Sequence, residues 1–328
     1  MFRGIIFSTV VLLSQIVMGQ SAIAVDKVVI TVSDLDVSVP FYEEVLGFKK
    51  NQSFTIKGKE LEQLLGIRNK NLSVTIVELQ LGSETIALQE FDNELQDRPV
   101  PFDSKSNDHW FQHMAIAVSD MDKAYKKLWD AGVPHVSTAP QTLPAYITEA
   151  AGIKAFYFQD PDRHNIEIIY FPNGKGDPKW QQGDKGLFMG IDHTAIGIEK
   201  TEPSLEFYEN ILGLEAKGHS ENYGPEQEHL NQVFGARLWI TGLRAKKGIG
   251  VEFLDYIAPP GGRPYPKDSA PTDLWHWHTI IKVGNLKDAF LKLQQANATF
   301  VSNGIVNLNG TEQFMVRDVD GHAILITE

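Results

Sequence analysis

The chain has 328 residues, of which 42% are hydrophobic and 22% are charged, so its composition is that of a globular protein of about two domains. Its net charge of −12 argues against nucleic acid and anionic membrane surfaces as partners, because both are negatively charged. The absence of cysteine excludes disulfides, thiolate catalysis and thiolate metal ligands.

The first segment in chain order, residues 1–24, is predicted to be a secretory signal peptide. Arg3 supplies a basic start, residues 4–18 are mostly apolar, and Ala22-Ile23-Ala24 matches a small-residue cleavage site. The alternative is an uncleaved membrane anchor, but the apolar run is shorter than the ~20 residues that span a bilayer. We therefore expect a secreted or periplasmic protein, cleaved after Ala24 and free of the membrane afterwards.

The remainder of the chain repeats itself. Residues 24–50, AVDKVVITVSDLDVSVPFYEEVLGFKK, align without a gap with residues 190–216, GIDHTAIGIEKTEPSLEFYENILGLEA, at an offset of 166 (192−26). Residues 109–132 align with residues 274–297 at an offset of 165 (278−113). Internal repeats of this kind indicate one structural unit used several times, here four times.

Each unit, called a module below, has the pattern β-α-β-β-β. The first module illustrates it, with a strand at 28–32, a helix at 37–46 that ends before Gly47, and strands at 74–81 and 85–91. The helices of the second and third modules end at Gly132 and Gly213. The sequence thus predicts an α+β fold of four modules in two halves, residues 25–172 and 189–328, joined by a Gly- and Pro-rich linker at 173–188.

The segments VDKVVITVSDLDVSVPFYEEVLGF, HMAIAVSDMDKAYKKLWDAGV, DPDRHNIEII and IDHTAIGI with FYENILGL make the chain resemble the vicinal oxygen chelate (VOC) superfamily. That superfamily includes glyoxalase I, the extradiol dioxygenases and the bleomycin-resistance proteins. The resemblance covers nearly all of the mature chain and implies two glyoxalase-like domains. It does not fix the reaction, because one scaffold serves many reactions.

Alternation along the strands indicates which residues face a cavity. His113 shares a strand face with Ala115 and Ala117, and His193 shares one with Ala195 and Gly197. Small neighbours leave space beside each histidine. Glu167 and Glu252 occupy the last strands of the same modules among apolar residues, where a carboxylate is costly unless a positive group pairs with it.

Only two of the four modules carry both residue types at these positions. At these positions module one has Lys27 and Ala87, and module two has His113 and Glu167. Module three has His193 and Glu252, and module four has His278 and Leu325. The resemblance implies that two modules enclose one metal ion, each giving a His-like and a Glu-like ligand. Pairing module two with three and one with four would gather His113, Glu167, His193 and Glu252 in one site and leave the other site degenerate.

Pairing within each half is the alternative. The second half would then offer His193, Glu252 and His278, two imidazoles and one carboxylate, a set that suits Fe(II) and O₂ chemistry. In the extradiol dioxygenases the carboxylate comes from the last module, where this chain has Leu325.

Three functions follow from these sites. The first is a metal-dependent lyase or isomerase whose single divalent ion (Ni, Co, Zn, Mn or Fe) is chelated by vicinal oxygens of a small-molecule substrate, with Glu167 or Glu252 as general base. The second is an Fe(II) dioxygenase, and the third is a metal-free binding protein like the bleomycin-resistance proteins. A homodimer is compatible with each.

Overall fold

The computed structural model describes residues 22–67, 71–92, 98–183, 186–260 and 262–328. Module one comprises β1 (Ala22–Thr31), α1 (Leu35–Pro40, continued by a π-helical turn at Phe41–Val45), β2 (Lys49–Lys57), α2 (Lys59–Leu65), β3 (Ser73–Leu81) and β4 (Glu84–Phe91). Module two comprises β5 (Gln112–Val118), α3 (Met121–Asp130), β6 (Gln141–Thr142), β7 (Lys154–Gln159) and β8 (Asn165–Tyr170).

A short 3₁₀ turn at Pro178–Gln181 lies in the linker between the halves. Module three comprises β9 (Phe188–Ile198), α4 (Thr201–Leu205, continued by a π-helical turn at Glu206–Ile211), β10 (Glu215–Tyr223), α5 (Pro225–Asn231), β11 (Arg237–Arg244), β12 (Lys247–Gly248) and β13 (Gly250–Ala258). Module four comprises β14 (Trp277–Val283), α6 (Leu286–Gln295), β15 (Thr299–Phe300), β16 (Val306–Leu308), β17 (Thr311–Arg317) and β18 (Ala323–Thr327).

The predicted α+β architecture is confirmed, with two differences in the elements. Helix α1 begins at Leu35 rather than at residue 37, because the Asp34 side chain accepts a hydrogen bond from the backbone N–H of Asp36 at 2.8 Å and caps the helix there. Modules one and three also contain a short extra helix, α2 and α5, which the repeat pattern did not predict. Gly58 and Gly224 precede these helices at φ of +113° and +96°, a conformation that favours glycine.

The strands form two sheets, and each sheet takes one module from each half of the sequence. One sheet has the order β15-β17-β18-β14-β1-β4-β3-β2, and the other has β10-β11-β13-β9-β5-β8-β7-β6. Two short strands join the first sheet beside this order: β16 pairs with β17, and β12 of module three crosses over to pair with β1. The antiparallel pairs β1–β14 and β5–β9 join the modules at the centres of the sheets. The predicted cross-half pairing of module two with three and of one with four is therefore found. Within each module the first strand runs parallel to the last.

The bulky faces of both sheets pack into one continuous buried cluster. Met114, Ile116 and Val118 of β5 contact this cluster together with Met121 and Leu128 of α3, as the alternation in the sequence predicted. The opposite face of each sheet therefore remains for the two sites. Among the described residues, no helix combines the length and hydrophobicity needed to cross a membrane.

Two buried Tyr–Asp–His networks link the sheets. In the first, His164 binds Asp160 through Nδ1 at 2.7 Å and the Leu274 carbonyl through Nε2 at 2.6 Å, while the Tyr42 hydroxyl donates to Asp160 at 3.1 Å. The second consists of Tyr208, Asp318 and His322, with the His109 carbonyl as the last acceptor. His164 and His322 thus have structural roles in the turns that precede β8 and β18.

The second network contains a buried ion pair. Burial opposes the charged form of both groups, but the Asp318 carboxylate raises the pKa of His322 above its ordinary 6.5. In return, His322 and backbone hydrogen bonds lower the pKa of Asp318 below 3.8 despite burial. The carboxylate therefore stabilises the fold above about pH 3.8, and the imidazolium stabilises it below about pH 6.5.

We expect Asp318→Asn to lower the free energy of unfolding by about 2 kcal/mol between pH 4 and 6.5, because a charge-assisted hydrogen bond is lost. The difference from wild type should shrink as pH rises through the elevated pKa of His322. Urea unfolding at a series of pH values measures this, with Asp130→Asn on the surface of α3 as the control. A difference that is independent of pH would contradict the ion pair.

Candidate functional site

The four predicted ligand residues lie in two adjacent rows across the sheet of modules two and three. One row holds Glu252 on β13, Ala195 on β9 and His113 on β5, and the other holds Glu167 on β8, Ala115 on β5 and His193 on β9. Each row thus takes its glutamate from one module and its histidine from the other. An alanine separates the pair in each row, so no bulky side chain prevents the imidazole and carboxylate from converging.

The side chains meet above these alanines. Nε2 of His113 lies 3.1 Å from Oε2 of Glu167, and Nε2 of His193 lies 3.6 Å from the same oxygen. Ligand atoms of these three residues all lie within 4.8 Å of one another, which makes them a candidate metal site. Glu252 joins them through a distance of 3.4 Å between its Oε2 and Nε2 of His193.

The histidines have the unsatisfied nitrogens that a metal ion would complete. Both side chains are buried, yet within the described part of the chain neither ring nitrogen of His113 makes a hydrogen bond, nor does Nε2 of His193. The glutamate oxygens at 3.1–3.6 Å are near these Nε2 atoms but do not form hydrogen bonds with them. Unpaired buried polar atoms are costly, so native structures usually satisfy them. Two imidazoles and two carboxylates are a donor set for a first-row divalent ion, and the site fits one.

Asp192 fixes the orientation of His193. Its Oδ2 lies 2.9 Å from Nδ1 of His193 and accepts from Nη2 of Arg244 at 2.9 Å, while Oδ1 accepts from the Trp180 indole at 2.6 Å. A proton on Nδ1 leaves the Nε2 lone pair directed into the site, which is the arrangement of metal-ligating histidines. This function of Asp192 was not predicted, although Asp192 is adjacent to His193 and repeats Asp26.

Electrostatics at the site favour a cation. Burial lowers the pKa of His193, but the charge of Glu252, the hydrogen bond to Asp192 and the charge of Glu167 together raise it to about 9. Burial, with the nearby Glu167 charge, raises the pKa of Glu252 in spite of His193. A divalent cation would relieve the repulsion between these carboxylates and take the place of the proton on Nε2.

Three of the four ligand residues, Glu167, His193 and Glu252, line a cavity of about 870 Å³. Module two is seven residues longer than module four before its last strand (165−158), and its extra segment lies between β6 and β7. Leu143, Glu149, Ala150 and Ile153 of this segment form one wall. Lys175 holds this segment against the linker by donating to the carbonyls of Thr148 and Glu149, and Tyr146 packs on Tyr223 of β10. The mouth carries Lys217, Lys246 and Lys247. The extra segment is thus a cavity wall, which sequence alone could not distinguish from a surface loop.

The equivalent positions in the other sheet do not form a comparable site. Nζ of Lys27 pairs with Glu78 at 2.6 Å, and Leu325 packs in an apolar cluster with α2. Burial lowers the pKa of His278 to about 4. Because β9 pairs with β5 and His278 lies on β14 of the other sheet, the structure does not bring His193, Glu252 and His278 together as the within-half alternative required.

The sequence model of the Glyoxalase/Bleomycin resistance protein/Dioxygenase superfamily matches residues 24–168 and 190–326. A 2-epi-5-epi-valiolone epimerase of Actinomyces sp is 32% identical over 173 residues, which are 51% of this chain and 89% of that protein. Glyoxalase I of Saccharomyces cerevisiae is 33% identical over 113 residues, 34% of this chain but only 31% of the relative's length.

Solved structures share the fold over nearly the whole chain. Glyoxalase I from Zea mays has a TM-score of 0.60 at 18% identity, with 94% of this chain and 92% of that chain covered. A putative dioxygenase from Bacillus subtilis has a TM-score of 0.57 at 13% identity, with 94% and 86% covered. At these identities the likeness concerns the fold alone.

We expect the full chain, purified without chelator or histidine tag, to hold about one divalent ion, which His193→Ala removes and His278→Ala retains. Asp192→Asn should weaken metal affinity by roughly 10–100-fold, because the orientation of His193 is lost. Elemental analysis and metal titration measure both effects. Asp26→Asn, the counterpart in the other sheet, is the matched control.

Loss of metal in His278→Ala as well would contradict the cross-half site. A wild-type chain that takes up no metal on reconstitution would favour the metal-free binding protein.

Proposed function

Because the chain belongs to the Glyoxalase/Bleomycin resistance protein/Dioxygenase superfamily, we propose that it is a metal-dependent lyase or isomerase of the glyoxalase type. Its substrate is a small molecule that chelates the metal through two vicinal oxygens. The observation that carries the proposal is the convergence of His113, Glu167, His193 and Glu252 from two modules, with buried imidazole nitrogens that lack partners.

These four residues would hold Ni²⁺, Co²⁺, Zn²⁺, Mn²⁺ or Fe²⁺. When bound, the ion supplies Lewis-acid polarisation of a substrate carbonyl, which acidifies the adjacent C–H group. The protein must then move a proton. An epimerase, such as the named Actinomyces relative, inverts a stereocentre, and removal and return of a proton next to a carbonyl accomplishes this inversion.

The structure favours Glu252 over Glu167 as the group that moves the proton. Glu167 is 5% exposed and lies beside Tyr157, which pairs with it on β7. At the equivalent position on β11, the residue paired with Glu252 is Gly242, and the Glu252 side chain is 26% exposed to the cavity. Glu252 therefore has room to swing between a ligand position and a substrate carbon. Its raised pKa brings it closer to neutral pH, which suits a general base.

A second function is favoured by one observation. The three most closely gathered residues, His113, His193 and Glu167, are two imidazoles and one carboxylate, the donor set of non-haem Fe(II) oxygenases. Oxygen uptake by the iron-loaded protein with a catechol would favour this dioxygenase over the lyase or isomerase.

The base assignment predicts different effects for the two glutamates. At saturating metal, Glu252→Gln should slow C–H exchange of hydroxyacetone in D₂O by roughly 10²-fold or more, because the remaining carboxylate, Glu167, is enclosed beside Tyr157 and does not reach the substrate proton. Glu167→Gln should mainly weaken metal binding and recover much of its exchange rate when metal is in excess. Proton NMR follows the exchange. Equal losses at saturating metal, or a larger loss in Glu167→Gln, would contradict the assignment.

We place the enzyme outside the cytoplasm, on the basis of residues 1–24. Residues 1–21 lie outside the described residues, while Ala22, Ile23 and Ala24 lie in β1, where the Ala22 N–H donates to the Leu212 carbonyl at 3.0 Å. Cleavage after Ala24 would shorten β1 but leave its pairing from Val25 onward.

The export proposal predicts that the chain recovered from the periplasm or medium begins at Val25. Intact-mass analysis of that fraction measures it. A chain that stays in the cytoplasm with residues 1–24 attached would contradict it.

A further inference from the structure

Buried polar side chains of β10, α5 and β13 form a hydrogen-bonded chain that ends at a residue lining the cavity. Nδ2 of Asn222 on β10 donates to Oε1 of Gln227 at 3.1 Å, and Gln227 on α5 donates to Oδ1 of Asn231. Nδ2 of Asn231 donates to the Tyr256 hydroxyl on β13 at 2.6 Å. Asn222, Gln227 and Asn231 are each at most 3% exposed. We call these four residues the amide chain.

The internal repeat shows that the fold does not need this polarity. At the offset of 166 residues, Asn222, Gln227 and Asn231 correspond to Ile56, Leu61 and Leu65, and at the module-end offset of 165 (252−87) Tyr256 corresponds to Phe91. The offset is supported by Gly58 and Gly224, which precede α2 and α5 in both copies. All four counterparts pack in one apolar cluster in the other sheet. One scaffold therefore builds the same corner from hydrocarbon, which avoids the cost of burying amides.

The amide chain ends in an unpaired atom at the cavity. Oδ1 of Asn222 is buried and has no hydrogen-bond partner among the described residues, and Asn222 lines the same cavity as His193 and Glu252. The side chains of Gln227, Asn231 and Tyr256 make their hydrogen bonds within the amide chain. An unpaired buried acceptor on a residue that lines the cavity indicates a ligand group that completes it.

The row of the sheet that holds Glu252 carries no side chain on the next two strands, β11 and β10. Gly242 pairs with Glu252, and Gly218 pairs with Gly242, so two glycines continue the row away from the metal ligands. Neither glycine has a positive φ, and a Cβ on either would meet no atom within 4 Å. Neither the backbone conformation nor the packing requires glycine there. A glycine inside a strand weakens it, and one such use is close approach of a ligand.

The partner that matches Asn222 is a hydroxyl group. The direction of hydrogen-bond donation along the amide chain can reverse if the three amides flip, because the Tyr256 hydroxyl both donates and accepts. Asn222 then presents either its oxygen or its NH₂ group to the cavity. A hydroxyl satisfies both, since it carries one donor and two acceptor sites, whereas a methyl group satisfies neither.

We propose that this site takes a polyhydroxylated substrate, one that carries a further hydroxyl group beyond the two oxygens at the metal. The substrate backbone lies over Gly242 and Gly218 and continues along β10 past Ser220, and Asn222 binds the further hydroxyl. The proposal rests on the proposed function, because the substrate must be held by the ligands at one end. Asn222 acts as a specificity residue.

The experiment uses the metal-loaded full chain and two series of hydroxamates, which chelate metals through adjacent oxygens. One series carries a terminal hydroxyl on chains of three to six carbons, and the other carries a methyl group in its place. We expect at least one hydroxyl probe to bind about tenfold more tightly than its methyl counterpart, which corresponds to one satisfied buried hydrogen bond. Isothermal titration calorimetry measures both series.

Asn222→Ile should abolish this preference while the affinity for the methyl probes and the metal content remain. The fourfold variant Asn222→Ile, Gln227→Leu, Asn231→Leu and Tyr256→Phe should do the same and remain folded, because it copies the other sheet. Asn210→Ile, a matched change on the exposed surface, should retain the preference.

A wild-type chain without any preference, or a preference that survives in both variants, would overturn the inference. If neither series binds, the metal centre of the proposed function fails instead, so the two failures are distinguishable.

Discussion

The antiparallel pairing of β5 with β9 is the contact on which the site depends. It places His113 opposite Ala195 and Ala115 opposite His193, so each histidine enters the row of the other module's glutamate. Had β9 paired with β14 instead, the same residues would lie in separate sheets. The alanines matter as much as the ligands, because a bulky residue in place of Ala115 or Ala195 would keep the imidazole and carboxylate of that row apart.

The two sheets repeat one scaffold but bury different kinds of side chain at equivalent positions. In the sheet of modules two and three, buried carboxylates, imidazoles and amides surround an open cavity. In the other sheet, Lys27 supplies the positive charge to Glu78, and leucine, isoleucine and phenylalanine fill the corner that the amide chain occupies. Buried polar groups lower stability unless they are satisfied, so one copy has kept them where a ligand can satisfy them.

The sheet of modules two and three differs on the two sides of the ligand residues. The row of Glu167 ends at Tyr157, a buried aromatic side chain, while the row of Glu252 continues through two glycines. The fold is nearly two-fold symmetric about the ligands, but the row beyond Glu167 is filled by an aromatic ring and the row beyond Glu252 is open. Glu167 is thus the enclosed glutamate, and in the proposed function Glu252 is the one that faces the substrate.

Much of this molecule could be predicted from the sequence, because strand alternation and internal repeats are local properties. They determined the four modules, the α+β class and the faces on which His113, Glu167, His193 and Glu252 lie. They also showed that Lys27 and Leu325 break the pattern in the other modules. The start of α1 was displaced by two residues, because the cap at Asp34 outweighed the apolar periodicity.

The tertiary structure decided what depends on contacts between distant segments. Which first strands pair is a choice between alternatives with similar local sequences, and only assembly of the shared core decided it. The function of Asp192 required its neighbours Trp180 and Arg244, and the open row at Gly242 required the register of three strands. Sequence fixes the chemistry that each residue can offer, whereas distance and partner are properties of the folded chain.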